Sequence, residues 1–189
     1  MHEYDVDNLV HSLINHLENK QEKEIIRLLD KHPFLLNHSL AAQDPTVFHY
    51  AALCENYAVI DYLVLEKQVD IHQVDKYGEN AMFYAKDMKM MKKLYDIGVS
   101  INQVDIHGYS LLMMSAQRNS VNSFKFLIEH EADVNHENNS RISLLSILET
   151  GHHPIDFSFL MKHLEQFNEK NQKRLKKLRL KELFERSSV

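Results

Sequence analysis

The chain has 189 residues, 44% hydrophobic and 26% charged, with a net charge of −5; a chain of this length buries a core without metal or disulfides, and the composition excludes wholesale disorder and low-complexity fibres. Four glycines and three prolines are too few for a turn-rich β-sandwich or barrel, and neither GxGxxG nor GxxxxGKS/T is present to cradle a nucleotide phosphate. The single cysteine, Cys54, excludes a disulfide framework and any CxxC motif and points to a reducing compartment, so a cytoplasmic location is expected.

Read in order, the N-terminus is acidic and lacks the basic and apolar regions of a secretory leader. Residues 5–17 and 22–29 carry two helical patterns with a polar outer face at His11, Asn15, Glu18 and Lys20, which suits a cap. A repeat follows. Residues 71–78 (IHQVDKYG) recur at 101–108 (INQVDIHG), and ADVN at 132–135 repeats the first half. After each comes a polar residue and an apolar run: Asn80 before AMFYA, Ser110 before LLMMS, Ser143 before LLSIL; Thr46 before VFHYAA is an earlier member. These starts lie 34, 30 and 33 residues apart. Ser, Thr or Asn opening an apolar helix is an N-cap. Small residues inside the first helices (Ala51, Ala85, Ser115) let neighbouring helices approach. The second helices carry apolar stripes, Val59, Ile60, Leu63 and Val64 in one and Phe124, Phe126, Leu127 and Ile128 in another. Gly78 and Gly108 fall at hairpin turns and Gly98 at a helix end that needs positive φ.

This pattern resembles the ankyrin repeat. DPTVFHYAA is similar to the family's TPLHxAA, with Thr46, His49, Ala51 and Ala52 in place. Asp75-x-x-Gly78 and Asp105-x-x-Gly108 match its DxxG turn, and Leu94-x-x-x-Gly98 and residues 131–135 match its repeat end. The TPLH proline is absent: Val47, Ala81, Leu111 and Leu144 stand there. Gln68 and Glu131 replace the terminal glycine in two repeats, and the repeat from Asn80 is three residues short around residues 86–89. The resemblance implies an all-α ankyrin-repeat solenoid of about five helix-turn-helix units. It divides into a capping helix pair (1–40), three recognisable repeats (41–137), a degenerate C-terminal repeat (138–168) and a basic amphipathic tail (169–189). In the degenerate repeat Pro154 can start a helix, docked by Phe157, Leu160, Met161 and Leu164.

No enzyme motif accompanies this pattern, and no cofactor or metal is expected. Of thirteen histidines the best cluster is His152, His153 and Asp156, but adjacent helical residues point apart and no HExxH occurs. Cys54 sits among apolar neighbours and reads as a core thiol. The resemblance implies a non-catalytic, monomeric protein that binds another protein through hairpin tips and the concave face of its first helices. The candidate contacts are Lys76, Tyr77, Glu79, Tyr84, His107, Tyr109, Met114, Gln117 and Arg141. Tyr84 and Met114 have an alternative role, packing between repeats. Ile-, Asn- and Lys-rich usage suits an AT-rich bacterium, and similar proteins of intracellular bacteria are often effectors translocated into a host cell. The tail, with Lys173, Arg174, Lys176, Lys177, Arg179 and Lys181 around Leu175, Leu178, Leu183 and Phe184, has two readings. It caps the array and pairs with the acidic body, or it binds anionic membrane or nucleic acid.

Overall fold

The structure, a computed structural model, describes residues 3–150 and 157–187. The described residues are helical with no strand; their β pairing consists of three isolated bridges. The chain forms two compact units, residues 1–103 and 104–189.

The first unit contains α1 (Glu3–Glu18), α2 (Glu22–Lys31), a 3-10 turn (Pro33–Leu36), α3 (Val47–Leu53), α4 (Tyr57–Leu65), α5 (Ala81–Tyr84) and α6 (Met88–Asp96). Its helices pair as antiparallel neighbours because each apolar stripe needs a cover. Leu13 and Leu17 of α1 and Ile25 and Leu29 of α2 are fully buried. First helices stack on first helices (α3 against α1 and α5), and the second helix α2 stacks on α4. Ala51 and Ala52, fully buried, permit the close approach. The expected stripe of α4 holds, with Val59, Ile60 and Leu63 buried and Val64 half-buried.

α5 has four residues where α3 has seven. The missing three residues remove about one turn of helix. Ala85, expected inside this helix, is instead its C-cap with extended ψ of 120°. The chain then enters α6 directly at Asp87, whose carboxylate accepts from Met90 N at 2.6 Å and from Tyr57 OH at 2.5 Å.

The second unit contains α7 (Leu111–Gln117), α8 (Val121–Glu129), α9 (Leu144–Thr150), α10 (Phe157–Lys162), a 3-10 turn (Leu164–Gln166) and α11 (Glu169–Ser187). Phe124, Phe126, Leu127 and Ile128 of α8 are buried as expected. Of the four residues expected to dock the last repeat, Leu160 is buried; Phe157, Met161 and Leu164 are half-buried, and Phe167 supplies the larger anchor. Pro154, His152, His153 and Asp156 lie outside the described residues. α11 packs on α9 and α10, with Leu175 fully buried. A polar clamp holds its start. Asn135 donates from Nδ2 to Gln166 O at 2.8 Å, and its Oδ1 accepts from Asn168 N at 2.9 Å and Asn171 Nδ2 at 3.0 Å.

Backbone punctuation repeats with the helices. Lys20, Glu55 and Asn119 turn first helices into second ones; Gln68, Gly98 and Glu131 end second helices; Asp44, Gly78, Gly108 and Arg141 close hairpins. All ten have positive φ, between 52° and 95°. Gln68 and Glu131 thus adopt the left-handed conformation for which glycine is the natural residue.

Candidate protein-interaction surface

The hairpin tips are built by short side chains that replace missing backbone partners. In the first unit Asp75, 6% exposed, accepts at Oδ1 from Tyr77 N (2.8 Å) and Glu79 N (2.9 Å). Its own N–H donates to Glu79 O at 2.9 Å, and Gly78 N donates to Asp75 O at 3.0 Å. Gly78 takes φ 76°, which closes the loop. In the second unit Asp105 repeats this scheme with His107 N (2.9 Å) and Tyr109 N (2.8 Å). Asn138 does the same for Ser140 N (3.0 Å) and Ile142 N (2.9 Å).

Neighbouring tips are locked in register. Lys76 N donates to Gln43 O at 2.8 Å in the first unit, and Asn139 N donates to His107 O at 3.1 Å in the second. A second rung lies just inside. Gln103 Nε2 donates to Gly78 O at 2.9 Å, and His136 Nε2, as the N–H tautomer, to Gly108 O at 2.7 Å. Helix starts behind the tips are capped as expected. Asn80 Oδ1 accepts from Met82 N (3.1 Å), Ser110 Oγ from Met113 N (3.3 Å) and Ser143 Oγ from Ser146 N (3.2 Å). Thr46 differs. Its N–H donates to His49 Nδ1 at 3.2 Å, while its hydroxyl donates to Gln73 Oε1 at 2.6 Å.

The candidate contacts sort by this geometry. In the first unit Lys76 and Tyr77 are exposed, Tyr77 by 42%, and Glu79 is half-buried beside them. Tyr84 lies behind the tip. Its hydroxyl donates to Asp75 Oδ2 at 2.7 Å and its ring meets His49 edge-on at 5.1 Å. Burial first, then the Asp75 carboxylate, pushes its phenol far above the ordinary range. In the second unit His107 is exposed and Tyr109 half-buried on one tip; Met114 is half-buried and Gln117 exposed on α7. Arg141, exposed, occupies the glycine position of the next tip at φ 59°.

Ile106, at the register of Lys76, is 53% exposed and was not among the expected contacts. The signal for it is an apolar residue at the centre of an otherwise polar turn. Val74, at the base of the first tip, is 45% exposed.

His49 is fully buried, and its Nε2 has no hydrogen-bond partner. Burial depresses its pKa, opposed by Asp75 and by the carbonyls of Glu79 and Gln73, so the ring is held toward its neutral form. Cys54 is half-buried, and burial pushes its thiol up, away from thiolate reactivity. Among the described residues no cluster of His, Cys, Asp and Glu could hold a metal.

On the tail, Arg174 grips Glu149 through two guanidinium contacts, one of them Nε at 2.7 Å, and reaches Ser143 and Ser146 Oγ at 3.3 Å. This pairing lowers the Glu149 carboxyl below its usual value. Arg179 pairs with Glu182 at 2.5 Å. Leu178 is half-buried, whereas Leu183 is 44% exposed, so the apolar residues of the tail do not share one face.

Residues 48–138 match the family model of ankyrin repeats, in three copies. The chain is an ankyrin repeat protein. Its fold class is the all-α ankyrin-repeat solenoid, and ankyrin arrays are protein–protein interaction modules, typically without catalytic activity. No curated protein matches the chain. No helix among the described residues is long and apolar enough to cross a membrane.

Proposed function

We propose that this ankyrin protein recognises a folded partner protein through its hairpin tips, without catalysis. The observation that carries this reading is the division of labour at each tip. Asp75, Asp105 and Asn138 satisfy the turn from inside, leaving Lys76, Tyr77, Ile106 and His107 exposed with no part in closing it through their side chains. Aromatic and apolar anchors on a rigid frame lose little ordering entropy on binding. Tyr84 is committed to Asp75 through its hydroxyl, so we take the exposed Tyr77, together with Ile106, as the principal anchors, with the exposed Arg141 side chain beside the third tip as a further contact.

The test is affinity capture with wild type beside Tyr77→Ala/Ile106→Ala, followed by titration of the captured protein. The double variant should lose about tenfold or more in affinity, since a hot-spot truncation exceeds about 1 kcal/mol per residue. Its melting temperature should stay near wild type, because both side chains are exposed. Undiminished affinity in a folded double variant refutes the tip assignment. A role as a translocated bacterial effector would place that partner in a host cell; it rests on Ile-, Asn- and Lys-rich amino-acid usage and family likeness.

A further inference from the structure

α11 has two faces of opposite chemistry. Its inner face packs on the second unit through Asn171, Leu175 and Leu178, spaced four and three residues apart, with Arg174 anchored on Glu149. The outer face carries Lys170, Lys173, Lys176 and Lys177, all exposed. At 100° per residue, Lys173, Lys177 and Leu180 fall nearly on one line, with Lys170 and Lys176 on either side. Leu180 is 56% exposed and Leu183, at the edge of this face, 44%. Glu169, in the first helical turn, is the one acid among the described residues on this face, and it complements the helix dipole there.

Leu180 is thus an open apolar side chain set among lysines. The charge is also segregated. Residues 169–186 hold eight Lys/Arg against three acids, leaving about −10 on the rest of the chain. The two described arginines of α11 are engaged by Glu149 and Glu182, so the outward charge is lysine ammonium. We propose that this outer face rests on an anionic bilayer surface. The four lysines would meet lipid headgroups, and Leu180 and Leu183 would enter the headgroup–acyl boundary. A helix of 19 residues is about 28 Å long, at 1.5 Å per residue.

The chemistry favours lipid over nucleic acid. Among its described side chains the face has no arginine, asparagine or aromatic ring to read or stack a base. Its leucines would find no apolar partner on a phosphodiester backbone. The rest of the chain carries a net negative charge, which the same surface repels, and α11 holds the densest run of cations. This inference is independent of the tip reading.

The test is co-sedimentation of the full chain with phosphatidylcholine vesicles, with and without about 30% phosphatidylserine, at roughly 0.1 M salt. A short DNA duplex is the competing ligand. Wild type should bind the anionic vesicles, ignore the neutral ones, and be released by high salt. Each lysine removed should lower the partition coefficient about fivefold, so Lys173→Gln/Lys177→Gln lowers it about 25-fold. Leu180→Asn should weaken it severalfold at unchanged salt dependence. All three side chains are exposed, so circular dichroism should match wild type and keep each variant interpretable. Equal partition of wild type and the lysine variant overturns the proposal. So does equal binding to neutral vesicles, no binding to anionic ones, or capture of DNA in preference to vesicles.

Discussion

Gly98 and Gly108 both have positive φ, 95° and 79°, but they differ in what surrounds them. A Cβ on Gly98 would meet Ile71 Cδ1 at 3.7 Å, an ordinary contact. A Cβ on Gly108 would lie 2.7 Å from Asn139 Oδ1, 2.8 Å from Asn139 N and 3.1 Å from Asn138 Cα. Both alanine variants carry the left-handed penalty, about 1–2 kcal/mol. Gly108→Ala must in addition displace the next tip's backbone. That strains Asn139 N to His107 O (3.1 Å) and Asn139 Nδ2 to Ile106 O (3.0 Å), each worth about 1 kcal/mol net. The expected loss is thus about 3–4 kcal/mol for Gly108→Ala against about 1–2 for Gly98→Ala. Urea unfolding followed by circular dichroism measures both, with hydrogen exchange at Asn139 reporting the local strain. Equal losses in the two variants would refute the claim that the second tip is held by close backbone approach.

Arg141→Gly and Glu131→Gly place glycine at left-handed positions, and each should raise stability by about 1 kcal/mol in the same urea assay. His49 is depressed from 6.5 by burial, so the unfolded chain binds the proton more readily. Stability should therefore be complete above that value and fall as pH drops below it, and His49→Asn should flatten the slope between neutral and mildly acidic pH. The phenol of Tyr57 is pushed up to about 12 by burial and Asp87, and that of Tyr84 further. Stability should therefore be complete below the unfolded tyrosine range and fall as pH rises through it, and Tyr84→Phe should remove much of that alkaline loss.

Much of the scaffold was legible because each repeat states its own boundaries. Asn80, Ser110 and Ser143 cap helices where the polar-then-apolar pattern puts them, and Gly78, Gly98 and Gly108 sit where the backbone needs positive φ. Other features depend on what a residue meets rather than on what it is. The deletion near residue 86 was visible, but only the structure shows that it removes a helical turn and leaves Ala85 outside. Asn135 reads as part of a repeat ending, and nothing in its spacing announces a clamp on residues 31–36 positions away. In the tail, apolar spacing could not separate Leu175, which is buried, from Leu183, which is exposed.

The same separation explains how the tips can vary. At one register stand Lys76, Ile106 and Asn139, three residues with no common chemistry. The turn itself is closed one residue earlier by Asp75, Asp105 and Asn138, and the rung beneath by Gln103 and His136, so the next side chain is not needed to close it; Lys76 instead reaches Ala42 O at 3.4 Å. A side chain not needed to close the turn can change without loss of fold, and Ile106, 53% exposed, is such a side chain. Asn139 has taken the other course and bonds the preceding tip through Ile106 O and His107 O. That bond makes Gly108 sterically indispensable while leaving the Ile106 side chain in the open. The two halves of Ile106 are thus separated in one hairpin: its carbonyl accepts from Asn139 Nδ2 and belongs to the scaffold, while its side chain stays exposed.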